Sequence, residues 1–285
     1  MSIKTDLIKA IRNDCPEMVL KIMNLGFDID HDIMEGWGVL QYAIRKGRKE
    51  IVRILLDAGA NKDKYTMSGD TPLSFAIREG QVEIAQILLD GGADKDKPDE
   101  YGYTPLHTAS KKGHKGIVQL LLDAGADKNR SYGSGTPMIF ATQNGHQEIV
   151  QILLDAGADK NKPCKYGCTP VMTAVFKGRK EILQILFDAE TDKDMADNDG
   201  FTLLNIASTE GHKEIVQFLL HAGADKNKSN IYGATPLMGA SAGNHEEIVQ
   251  ILLDAGADKD KVAKGYTALS IAIESGFNEI VELLS

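Results

Sequence analysis

A threonine returns through this chain about every 33 residues. Thr71, Thr104, Thr136, Thr169, Thr202, Thr235 and Thr267 are separated by 33, 32, 33, 33, 33 and 32 residues. Proline follows five of them, and Leu203 and Ala268 follow the other two. A period in this range commits a chain to stacked supersecondary units, because one such unit cannot bury its own apolar face. A length of 285 residues, which alone would allow two domains, therefore reads as one elongated repeat domain spanning 1–285.

The segment from Asp99 to Asn129 shows what one unit is built to do. Thr104 caps a helix N-terminus with its hydroxyl, and Pro105 occupies the first helical position, where a missing N–H costs nothing. Gly113 ends this first helix. A second helix carries Ile117, Val118, Leu120, Leu121 and Leu122, apolar along most of its length, so both its sides must be covered. Gly125 is a left-handed stop, and the polar segment beyond it turns at Gly102-type glycines before the next threonine. Each helix is about eight to ten residues, below the roughly 12–15 needed for marginal stability alone, so neighbouring units must supply the stability.

These residues resemble a known family. Gly-x-Thr-Pro-Leu-His-x-Ala at 102–109, then Gly113-His114, then Ile-Val-x-Leu-Leu-Leu-x-x-Gly-Ala-Asp at 117–127, is similar to the ankyrin repeat, and the likeness covers nearly the whole chain. The resemblance implies an all-α solenoid in which each unit is two antiparallel helices plus a short hairpin finger. It also implies a concave face of fingers and first helices that binds protein.

On this reading residues 1–33 form an N-terminal capping helical pair, and 34–285 hold eight repeats, with Gly38 standing where the others have threonine. The last repeat is truncated after its second helix and is expected to expose an apolar flank there. Met1 reads as a true start, while the end at Ser285 leaves room for a further domain. Three departures stand out. The fingers before Thr136 and Thr267 are one residue short and should tighten. Gly243 comes one position early, with Asn244 where other repeats have glycine. Glu190 replaces the glycine that ends the second helix elsewhere, so a strained left-handed glutamate, costing on the order of 1 kcal/mol, would make 188–196 a weak joint.

The net charge of −9 disfavours nucleic acid, whose phosphates call for a basic surface. The first 30 residues, broken by Lys4, Asp6, Lys9, Arg12, Asp14, Glu17 and Lys21, read as neither a secretory signal nor a membrane span. Three cysteines fit a reducing compartment, so the expected location is cytoplasmic, whether of the producing cell or of a host. Chemistry finds little purchase. Cys164 and Cys168 lie in one finger without the further ligands of a zinc site. Five of the seven histidines recur in repeat register, and Gly133-Ser134-Gly135 lacks the lysine and helix of a phosphate loop. The Asn129-Arg-Ser131 and Asn227-Lys-Ser229 sequons mean nothing without secretion. Asp-Lys-Asp-Lys runs such as 94–97 and 258–261 read as a solvated ladder of opposite charges. No catalytic residue, cofactor or metal is expected.

Aromatic residues carry more information. Seven of eight tyrosines fall on fingers, among them Tyr101, Tyr103, Tyr132, Tyr166 and Tyr232, and Trp37 and Phe201 stand just before a threonine position. Such residues are enriched where proteins are recognised. By the family pattern, the seventh and eighth residues after each threonine face the groove. In the first three repeats these are Arg45, Lys46, Arg78, Glu79, Lys111 and Lys112; in the last three they are Thr209, Glu210, Ala242, Gly243, Glu274 and Ser275. The expected function is non-enzymatic recognition of another protein by a monomer, as an adaptor, inhibitor or targeting module, with an acidic helical or extended segment in a basic stretch of groove. Two rivals stand beside it: a small-ligand or nucleotide receptor using Trp37, Tyr103 and Lys112, and a regulatory region of a larger enzyme.

Overall fold

A computed structural model describes residues 3–34, 36–133, 135–188 and 190–285. They fall into two compact units, Met1–Ala158 and Asp159–Ser285. In the first unit α1 (Ile3–Arg12) and α2 (Pro16–Asn24) lead into a hairpin of β1 (Asp32–Met34) and β2 (Trp37–Gly38). Four helical pairs follow: α3 (Val39–Arg45) with α4 (Lys49–Asp57), α5 (Pro72–Arg78) with α6 (Val82–Asp90), α7 (Pro105–Lys112) with α8 (Lys115–Asp123), and α9 (Pro137–Gln143) with α10 (Gln147–Asp155). The second unit holds α11 (Pro170–Phe176) with α12 (Lys180–Leu186), α13 (Leu203–Thr209) with α14 (Lys213–His221), α15 (Pro236–Ala242) with α16 (Glu246–Asp254), and α17 (Ala268–Ser275) with α18 (Asn278–Leu284). Within each unit first helices pack on first helices and second helices on second helices. Leu73, Ile77, Leu106, Ile117 and Leu121 in one, and Leu203, Leu219 and Leu252 in the other, have no exposed surface. No described helix is long and apolar enough to cross a membrane.

The threonine period is a capping device. The hydroxyls of Thr71, Thr136, Thr169, Thr202, Thr235 and Thr267 accept from the N–H three residues on, at 3.1–3.4 Å. Thr104 differs: its N–H donates to His107 Nδ1 at 3.2 Å, and its hydroxyl lies 2.7 Å from the same atom. Asn205 Oδ1 repeats this arrangement toward the Thr202 N–H at 3.0 Å. Second helices end as the glycines require. Gly125 has φ 76°, its N–H bonds the Leu122 carbonyl, and the Ala126 N–H bonds that of Leu121, each at 2.9 Å.

The Asp-Lys runs do more than form the ladder of opposite charges that their sequence suggests, in which Lys95 pairs with Asp96 at 3.6 Å and Lys64 with Asp32 at 3.0 Å. Asp30, Asp63, Asp96 and Asp194 each accept the backbone N–H of the residue 31 positions on, at 2.8–3.0 Å. Lys64, Lys97 and Lys228 donate to the backbone carbonyls of Asp30, Asp63 and Asp194. The charges therefore satisfy main-chain groups of the neighbouring repeat, which an exposed Asp–Lys pair would not do. The two short fingers do tighten, each closing on a single β-bridge, Tyr132 to Gly135 and Ala263 to Tyr266.

Two junctions depart from the sequence expectation. Asn244, with φ 57°, takes the left-handed position itself, while Gly243 is right-handed and lies where a Cβ would press on the His245 ring and the Thr209 carbonyl. At the other junction α12 stops at Leu186, and Phe187 is extended (φ −91°, ψ 118°). Glu190 therefore does not close a helix. A side-chain turn replaces the usual stop: the Asp188 N–H donates to Thr191 Oγ1 at 3.0 Å, and the Thr191 hydroxyl donates to Asp188 Oδ1 at 2.9 Å. Ala189 lies outside the described residues. Large exposed apolar side chains near the chain's ends are Ile3, Met18, Leu20 and Leu25 of the first pair and Ile273 of the last. On α18 Ile280 and Leu284 are buried, while Val281 and Leu283 are half-buried, so the apolar flank expected there is only partly open.

Candidate functional site

Register places the candidate residues of the first unit in one row. The position just before each capping residue carries Trp37 and Tyr103, and the seventh position after it carries Arg45, Arg78 and Lys111. One finger turn and two helical turns bring the two positions together. The Arg45 guanidinium lies 5.1 Å from the Trp37 ring, and Lys111 Nζ lies 5.7 Å from Tyr103. Phe75, four residues after Thr71, joins the row. It packs edge-on to Trp37 at 5.0 Å and carries Arg78 at 5.2 Å. Tyr103 in turn meets Tyr132 at 5.8 Å and Phe140 at 5.4 Å, both edge-on. The buried Phe75 and Phe140 were absent from the sequence candidates; their signal is an aromatic at the fourth position after a threonine.

Burial divides these residues into two kinds. Tyr101 is 64% exposed and Tyr132 46%, and Arg45, Lys46, Lys111 and Lys112 are also exposed. Trp37 and Tyr103 are half-buried shelves between neighbouring repeats, structural as well as accessible. Arg78 is committed: its Nη1 sits 2.5 Å from the carboxylate of Asp70, which is buried. Counting Arg78 and Glu79 as free groove charges therefore overstates their reach. The cations that the groove offers outward are Arg45, Lys46, Lys111 and Lys112.

Asp99 holds the third finger by accepting the Tyr101 and Tyr103 N–H groups at 3.0 and 2.9 Å. Burial raises its pKa above the usual carboxylate value, and those two bonds oppose the rise. His107, beneath Tyr103, is 1% exposed, and burial lowers its pKa to about 4, against an opposing pull from the carbonyls of Gly135 and Arg130. It is a buried strut, neutral at pH 7. His146, His212 and His245 bridge back through Nε2 to the carbonyls of Lys111, Phe176 and Thr209 at 3.0–3.2 Å.

In the second unit Tyr166 is 60% exposed with Lys165 Nζ 4.8 Å from its ring. Phe201 is half-buried and tilts toward the exposed Tyr232 at 6.5 Å. Cys164 stands where other fingers have Asp99 or Asp197, and its sulfur accepts the Tyr166 N–H at 3.3 Å. Burial and the neighbouring Cys164 push the Cys168 thiol up to about 11. The Cys164 thiol thus holds its finger as those carboxylates hold theirs. Among the described residues no group of three or more His, Cys, Asp or Glu is placed to hold a metal ion.

The model of the ankyrin-repeat family, three copies long, matches residues 7–99, 62–132, 91–164, 138–230 and 226–285. The chain belongs to the ankyrin-repeat family. Its ankyrin fold is similar to that in the crystal structure of the human ASB11 ankyrin repeat domain. The two are 26% identical, with a TM-score of 0.69 over 76% of this chain and 98% of that one. No curated protein matches it. Ankyrin repeats generally serve as modules of protein–protein interaction, and the fold is typically non-enzymatic.

Proposed function

We propose that this chain is a non-enzymatic recognition module that takes an acidic helical or extended segment of a partner protein on the finger and first-helix face of repeats one to three. The observation that carries the reading is the aromatic row Trp37–Phe75 and Tyr103–Tyr132 with Arg45, Lys46, Lys111 and Lys112 left exposed beside it. Rings fixed edge-to-face lose little freedom when a partner arrives, and cations already resting on them are partly preorganised. A like-charged partner would be repelled, which supplies specificity as well as attraction. The small-ligand rival is weakened because the rings it would stack on already carry Arg45 and Lys111. Action as an adaptor or inhibitor by a cytoplasmic monomer, with the whole of 1–285 acting as one domain, completes the proposal.

The test compares two alanine sets for retention of the protein partner captured by the wild-type chain. Replacing Tyr101, Lys111 and Lys112 should weaken that complex by at least about 2 kcal/mol, the scale of an interface anchor, while the melting midpoint barely moves. Tyr103 is left in place because its ring packs on Tyr132 and Phe140, so its loss would confuse stability with binding. Replacing Gln119 and Gln151, which point away on the second helices and bond Asp123 and Asp155, should leave binding intact. The reverse pattern would place recognition on the second-helix face and overturn the proposal.

A further inference from the structure

The groove positions turn acidic in the last three repeats, at Glu210 and Glu274, and with them comes a cavity. Between the last two fingers and the helices α15 and α17 lies a hollow of about 380 Å³, walled by Tyr232, Met238, Tyr266 and Ile271, with Lys264 and Glu274 at its rim. Glu274 is the seventh residue after Thr267, the register that holds Arg45, Arg78 and Lys111 in the first unit. Its carboxylate is exposed and has no charged or hydrogen-bonded partner among the described residues. The corresponding positions of the preceding repeat hold Ala242 and Gly243, which carry no charge.

We infer that this hollow is a subsite for one arginine side chain of an extended peptide. Two tyrosine rings line it beside the apolar Met238 and Ile271, and an unpaired carboxylate waits at the rim. That combination favours a cation with flat, weakly hydrated faces over a compact, strongly hydrated ammonium. The molecule already shows that the wall accepts a cation, since Lys264 Nζ rests 4.8 Å from the Tyr232 ring. Lys264 reaches there from the finger tip, where it holds a left-handed backbone (φ 50°) next to Gly265. It is thus an internal occupant of one ring face. An incoming guanidinium stacks on Tyr266 and pairs with Glu274, displacing Lys264 or sharing the site with it. This subsite does not rest on the basic row of the first unit, and its failure or success is read at different residues.

The experiment uses the whole chain with isotope-labelled methyl groups and four synthetic nonapeptides, identical except for a central arginine, lysine, citrulline or glutamate. The arginine peptide should shift the methyl signals of Met238 and Ile271 on titration. Glu274→Gln should weaken that binding about fivefold, and Lys264→Ala should tighten it by about twofold. Citrulline, which keeps the shape and loses the charge, should bind at least about fivefold more weakly, and lysine should fall between them. Equal binding of citrulline and arginine would make the hollow an apolar contact only and overturn the inference. Binding of the glutamate peptide dependent on Lys264 would reverse its polarity, and no methyl shift with any peptide would remove the subsite. Arginine binding unaffected by Glu274→Gln would likewise sink it.

Discussion

His107 shows how a single side chain can serve a cap and a core at once. Its Nδ1 serves the Thr104 N–H and hydroxyl, and its ring packs edge-on against Phe140 at 5.7 Å. Neutral imidazole does this with its buried Nε2 left without a hydrogen-bond partner, a smaller penalty than desolvating imidazolium in the same place. The folded pKa, about 4, lies below the ordinary 6.5, so the unfolded chain binds the proton more readily. The stability owed to neutral His107 is complete above pH 6.5 and drains away as pH falls toward 4, by up to about 3 kcal/mol. Asn205 performs the same duty toward Thr202 without titrating. The expectation is that His107→Asn resists acid better than wild type: the two urea midpoints should diverge between pH 6.5 and 4, with the variant ahead. Parallel curves would show that the buried ring is not what acid attacks.

Helix ends decide the behaviour of elements. Where Gly125 is present, α8 finishes with two carbonyls satisfied by Gly125 and Ala126. Where Glu190 stands instead, α12 gives up its last turn, Phe187 packs edge-on to Phe218 at 5.2 Å, and Asp188 turns to Thr191 and Lys160. The Lys160 ammonium, followed by the Thr191 hydroxyl, holds the Asp188 carboxyl below its usual pKa. Consecutive second helices α12 and α14 touch less than α14 and α16 do. The joint is thus irregular because the chain avoids the strained conformation and not because it suffers it. Glu190→Gly alone should therefore shift the urea midpoint by less than about 0.5 kcal/mol, since the Thr191 turn remains. Glu190→Gly with Thr191→Ala restores the Gly-Ala pair of the other repeats. It should lengthen α12 and gain about 1 kcal/mol, with slower amide exchange at Phe187 and Asp188. A full gain from the single substitution would mean the glutamate was strained after all.

Across the whole molecule charge is spread unevenly. Residues 1–158 hold 19 basic and 22 acidic side chains, and residues 159–285 hold 13 and 19. Neither half is basic, so the proposed attraction of an acidic partner would act locally, through Arg45, Lys46, Lys111 and Lys112. Local fields are screened over about 8 Å at physiological ionic strength. Association of the captured partner should therefore slow as salt rises from 50 to 500 mM, by about tenfold or more, while the off-rate changes little. An on-rate that instead rises with salt would show that the overall negative charge governs the encounter.

By itself the sequence determined the helical pairs, the caps and the family, because those features are written locally: a threonine, a proline and a glycine each fix one backbone choice where they stand. It also located the finger aromatics and the groove cations, since these repeat in register. Only the tertiary structure decided which of them are available. Asp70 and Arg78 lie eight residues apart yet pair across a finger and a helix, so Arg78 ceased to be a free cation only when the fold brought a buried carboxylate to it. The Asp-Lys runs read as ion pairs alone until neighbouring repeats supplied main-chain partners 31 to 34 positions away as well. Phe75 became part of the aromatic row only once Trp37 was placed against it. The hollow around Glu274 exists because the fold brings Tyr232 and Met238 of one repeat beside Tyr266 and Ile271 of the next. Such facts depend on distances between residues remote in the chain, and packing alone sets those.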